Sequence, residues 1–139
     1  MVNSRNKGAA FERVIVKKIN EYLESVGSEK RVKRNLDQYQ KKGLADIYWG
    51  KFAIECKAYK GNGNHFMQER WWVQACEAAG DLFIPVLIYK YNNTKPKVVI
   101  PAHVMIKDLP AKNEAVMIGY LSDICKQIDV ILNNVRHSG

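Results

Sequence analysis

The sequence predicts an α/β fold, and three stretches carry that prediction. Near the start, Phe11, Val14, Ile15, Ile19, Tyr22, Leu23 and Val26 recur at spacings of three and four, one apolar stripe along a helix over about 8–26. Asp46 to Ala58 reads as two β-rich arms around Gly50-Lys51, a pair suited to a two-residue type II′ hairpin turn. Leu82 to Tyr91 is a largely continuous apolar run, the mark of a central strand covered on both faces. The elements follow in the order α-β-β-β-α-β-β with one more helix at the end.

A chain of 139 residues and 15.9 kDa suits a single domain over 1–139 and is short for two ordinary cores. No apolar run reaches membrane-spanning length, and MVNSRNKGAA lacks the apolar region of a signal peptide, so a cytoplasmic protein without membrane contact is expected. Cys56, Cys76 and Cys125 are widely spaced and odd in number, which argues against a disulfide framework or a zinc knuckle. The net charge of +8 is unevenly distributed. Residues 1–60 hold 14 Lys/Arg and 7 Asp/Glu, whereas 61–139 hold 8 and 7. A basic half fits a polyanionic partner better than it fits a merely solvated surface.

The first helix ends at Ser25-Val26-Gly27-Ser28, with Gly27 as its C-terminal cap. Glu29 to Leu36 then reads as a strand ending near Asp37, with Val32 and Arg34 on one side and Arg31 and Lys33 on the other. So many cations mark either a protected edge or a phosphate track, and the arginines favour the track. Asp37 to Gly43 is a polar loop that leads into the hairpin. After the hairpin, Lys60-Gly61-Asn62-Gly63-Asn64 breaks the chain, and a helix follows over about His65–Gly80. Its Met67, Trp71, Trp72, Ala75, Cys76, Ala78 and Ala79 form a broad apolar face; the tryptophans are read as core rather than as base-stacking groups. Asn92-Asn93-Thr94 turns the chain, Lys97 to Ile100 forms a strand that Pro101 closes, and Ala115 to Val135 reads as the last helix. His65, His103 and His137 stand apart from one another and from the carboxylates, a poor basis for a metal site.

The chemistry is concentrated in the hairpin. Alternation puts Ala53, Glu55 and Lys57 on one face of the second arm and Phe52, Ile54, Cys56 and Ala58 on the other. The turn sets Asp46 directly across from Glu55. Two opposed carboxylates, with the Cys56 carbonyl as a third oxygen, are what a hard divalent ion such as Mg²⁺ prefers. Lys57 then lies where an ammonium can orient the nucleophile and offset charge on phosphate, so metal-assisted phosphodiester hydrolysis is the reaction class.

These residues carry a resemblance. Asp46-x8-Glu55-x-Lys57, preceded by Glu12 on an amphipathic helix, resembles the PD-(D/E)XK nuclease superfamily, with Ala45 where the name's Pro would stand. Lys7-Gly8-Ala9-Ala10-Phe11-Glu12-Arg13, the hairpin, and Ile84 to Tyr91 together look like archaeal-type Holliday junction resolvases and their phage relatives, over roughly residues 4–100. The resemblance implies a restriction-endonuclease-like mixed five-stranded sheet flanked by helices, with 101–139 as a C-terminal helical extension. It gives Glu12, which alone reads as a solvated helix glutamate, a metal-organising role, and it makes Gln74 a supporting residue. It also implies Mg²⁺, for which Mn²⁺ can substitute, and a homodimer acting on branched double-stranded DNA in recombination and repair. Arg5, Lys7, Arg13, Arg31, Lys33, Arg34, Lys41 and Lys42 are the expected DNA contacts. Two other readings stay open: a different PD-(D/E)XK DNA nuclease of nicking, repair or restriction type, and a basic DNA-binding protein without catalysis.

Overall fold

A computed structural model describes residues 4–39, 43–61 and 66–135 and sets helices on both faces of one mixed sheet. Helix α1 (Ser4–Ser25) buries Phe11, Ile15, Ile19 and Leu23 of the predicted stripe, whereas Val14 and Val26, also expected in it, stand exposed. It starts earlier than expected and ends at the expected cap. Gly27 turns left-handed at φ +75°, its N–H donates to the Glu24 carbonyl, and the Ser28 N–H donates to that of Leu23, which satisfies the last turn.

The hairpin forms as read. β1 (Ile47–Trp49) and β2 (Phe52–Tyr59) pair antiparallel, Ile47 with Ile54 and Trp49 with Phe52, around Gly50 at φ +57°. Gly is required twice over at the tip, since a Cβ on Gly50 would stand 2.7 Å from the Leu132 side chain. α2 (Glu69–Ala79) then carries the chain across to β3 (Ile84–Tyr91), parallel to β2, and β4 (Lys97–Pro101) returns antiparallel. The order β1-β2-β3-β4, with a fifth strand beyond β4, puts β3 at the centre.

Strand alternation divides the core between two layers. Ile54, Cys56, Val86, Ile88, Val98 and Ile100 meet α1 and α4 (Leu121–Val135), while Leu87, Tyr89, Tyr91 and Val99 meet Trp71, Trp72 and Ala75 of α2. Both tryptophans are core, as read. Among the described residues no helix is long and apolar enough to cross a membrane.

The structure corrects two elements of the predicted order. The expected strand over 29–36 is reduced to a single bridge, Arg34 to Ile47, followed by a 3-10 turn (Leu36–Tyr39). Val32 has no ladder partner because Asn20 substitutes for one: its Nδ2 donates to the Val32 carbonyl (3.0 Å) and its Oδ1 accepts from the Val32 N–H (2.8 Å). The fifth strand is instead β5 (Val116–Tyr120), which follows a short α3 (Ala102–Met105) and pairs antiparallel with β4. The stretch 116–120 therefore belongs to the sheet and not to the last helix, which starts at Leu121. Gly119 allows this, for a Cβ there would lie 3.2 Å from Ile124 of α4.

Candidate active site

Asp46 is placed by a ladder that runs out. Its N–H donates to the Ile54 carbonyl (3.0 Å), and its own carbonyl accepts from the Asn35 N–H (2.7 Å), which pins its backbone from both sides. A continued ladder would give the Ala45 carbonyl to Cys56; here that carbonyl accepts from Asn35 Nδ2 (3.0 Å). The Cys56 N–H donates to Asp46 Oδ2 instead, at 2.8 Å. The carboxylate is thus aimed at β2. The regular ladder ends at Ile47, the chain bends so that Asp46 and Ile47 both face Ile54, and the Asp46 side chain comes within electrostatic reach of Glu55. In an extended strand the amide and carbonyl of one residue face the same neighbour, so the Cys56 carbonyl also faces the Asp46 side. The Cys56 thiol is buried in the opposite layer, and burial, with three nearby carboxylates, raises its pKa far above a reactive range.

Glu12 reaches the same place from α1. Only 6% exposed, it pairs with Arg34, whose Nε lies 3.1 Å from Oε1. Burial raises Asp46 to about 6; the Cys56 N–H opposes that rise, Glu12 adds to it, and Lys57 and Arg34 oppose it. Glu55 is raised further, to about 8, by burial and then by Asp46, with Lys57 opposing and Glu12 adding. The two carboxylates titrate as a pair that holds a proton between them at neutral pH. Glu12, Asp46, Glu55 and Lys57, read as one set from sequence, converge electrostatically, together with Arg34.

With the pair's proton in place the three carboxyl groups balance the two cations, its loss leaves one negative charge in excess, and the donors are hard oxygens. That set fits a divalent cation of the Mg²⁺ kind held by two carboxylates, a carbonyl and water. It is not a closed cage. Among the described residues no three His, Cys, Asp or Glu side chains already form a metal-holding group, and Glu12 is engaged by Arg34.

The basic residues divide. Arg13, Lys17, Lys33 and Arg34 line a shallow cleft of about 410 Å³ beside α1, and Lys33 and Arg34 also border a second of about 330 Å³ with Asn35 and Tyr48. Arg34 is thus the wall between both clefts and the acidic cluster. Arg31 is exposed but folded back, its Nη1 donating to the carbonyls of Ser28 and Lys30. Arg5 and Lys7 fall in the first turns of α1, and Lys41 and Lys42 lie outside the described residues, as do His65 and His137. Gln74 is exposed on α2, the helix that covers the sheet face bearing Glu55 and Lys57. Sequence reading missed Asn35, whose bonds hold Ala45 and Asp46; a lone Asn in a polar segment leaves no periodic signal.

A family model described as "Phage putative PDDEXK endonuclease" matches residues 3–137. No curated protein matches the chain.

Proposed function

The chain belongs to the phage PD-(D/E)XK endonuclease family, and on that premise we propose that it is a structure-selective DNA endonuclease, a Holliday junction resolvase that makes paired cuts as a homodimer. The observation that supports the chemistry is the approach of the buried Asp46 and Glu55 carboxyls at the ragged end of the hairpin, with Glu12 and Lys57 in electrostatic reach of both. Asp46, Glu55 and the Cys56 carbonyl would hold the ion in this reading, and Glu12 would complete the site. Mg²⁺, or Mn²⁺ in its place, supplies Lewis-acid polarisation of the scissile phosphate and of the attacking water. Lys57, two residues along the same strand face, orients that water and offsets charge as the phosphate is attacked. Arg34 and Lys33, with Arg13 on α1, hold the flanking phosphates, where a guanidinium fork is the better match.

The choice of a four-way junction rests on the resemblance of the N-terminal helix, hairpin and central strand to resolvases, and symmetric cuts across a junction require two such sites. The test is cleavage of a labelled four-way junction, a Y-fork, linear duplex and single strand at equal concentration, each with Mg²⁺ or EDTA, beside Glu55→Gln. Paired, Mg²⁺-dependent nicks confined to the junction and lost in Glu55→Gln are the expected result. Cleavage spread over the other substrates retains the nuclease and removes the resolvase; binding without cleavage in any lane removes both.

A further inference from the structure

A fixed aromatic ring stands beyond the acidic cluster on the same strand. β2 residues alternate, so Tyr59 shares its face with Glu55 and Lys57, about 13 Å and 7 Å away along the strand. Its ring is clamped. The centroids of Trp71 and Tyr91 each lie 5.8 Å from it, the latter edge-on, and the backbone of Gly61 lies so close that a Cβ there would stand 3.0 Å from the ring. Yet Tyr59 remains 42% exposed. Tyr91 links it to a second exposed aromatic, for the Tyr91 hydroxyl donates to the Phe66 carbonyl at 2.6 Å and Phe66 is 73% exposed.

A single exposed tyrosine is ordinary on any surface. This one differs in being immobilised by three neighbours and placed in line with Lys57, beside the exposed Lys60. A ring already held by its neighbours gives up less entropy when a second flat ring meets it than a free side chain would. Cations on either side bring a phosphate backbone to the same strip. We propose that Tyr59 is a stacking platform for an unpaired nucleobase of the DNA strand whose phosphate occupies the site. This rests on the nuclease reading and gives it a source of structure selectivity: intact duplex keeps its bases stacked on each other, whereas a branch point or a gap offers one to the protein. Stacking is tolerant of base identity, so the platform selects for unpaired character and not for sequence.

The experiment follows the base and not the cut. A branched DNA and a fully paired duplex, each with 2-aminopurine near the cleavage position, are titrated in EDTA with wild type, Tyr59→Phe, Tyr59→Leu and Gly61→Ala. Wild type and Tyr59→Phe are expected to quench the probe in the branched DNA. Tyr59→Leu should leave it bright and bind that DNA roughly 5- to 100-fold more weakly, with duplex affinity unchanged. Gly61→Ala, whose Cβ would press on the Tyr59 and Tyr91 rings at 3.0 and 3.1 Å and shift them slightly, should weaken the quench in part and so carries the test if Tyr59→Leu does not fold. Equal quenching and affinity in all four proteins would overturn the platform. Because no cleavage is read, quenching in a protein that cuts nothing removes the nuclease chemistry alone, and junction cleavage without quenching removes the platform alone.

Discussion

A buried carboxylate opposite another is costly unless something compensates, and at Asp46 and Glu55 the compensation is incomplete. One N–H from Cys56 and the ammonium of Lys57 favour the charged forms, but burial and mutual repulsion outweigh them. Both groups must lose their protons to hold a cation, so cation binding and proton release are linked. Affinity for Mg²⁺ should therefore rise steeply from about pH 6 to about pH 8 and level off above it. Calorimetric titration of the DNA-free protein across that range reads this directly; a flat profile would mean that the pair is not the ligand. The register as far as Ile47 was legible because Gly50-Lys51 announces a two-residue turn; the bend that gives the Asp46 N–H to Ile54, where direct opposition to Glu55 was expected, was not. The Glu12–Arg34 pair was not, since its partners stand 22 residues apart and meet only through the packing of α1.

At the scale of elements, side chains do the work of a missing strand. Asn20 and Asn35 hold the segment before β1 by bonds to main-chain groups, one to Val32 and the other to Ala45. The two should separate on mutation. Asn20→Ala leaves both Val32 main-chain groups without a partner and should cost about 1–3 kcal/mol by chemical denaturation, with Mg²⁺ affinity little changed. Asn35→Ala should cost less stability but loosen Asp46, which would weaken Mg²⁺ binding roughly tenfold. Equal effects of both on Mg²⁺ would mean that Asn35 only stabilises. Asparagine clamps follow no period, which is why the cationic stretch 29–36 looked like a strand. β5 escaped notice for the converse reason: Ile118 and Leu121 happen to continue the helical spacing of α4, although Gly119 was a mark of close backbone approach.

Across the whole molecule, the acidic cluster lies within a basic half. Of the cations of residues 1–60, Arg13, Lys17, Lys33 and Arg34 line the clefts, and the later residues mainly build sheet and cover. Interleaved apolar runs made the sheet and its two layers readable, because alternation in β3 and β4 feeds both cores. The buried carboxylate pair has one more consequence, which concerns what selection preserves. Its raised pKa values mean that the folded state holds more protons than the unfolded chain above the ordinary carboxylate range near 4, so stability falls as pH rises toward 8. The buried pair, which we propose as the ion's ligands, is therefore a weak point in the fold. Asp46→Asn, inactive by the reading above, should melt about 2–4 °C higher than wild type at pH 8.5 in EDTA, and the gain should fade at pH 5. Random mutagenesis screened for thermal tolerance alone would then drift toward dead enzyme at this pair, and only a demand for cut DNA would hold the two acids in place.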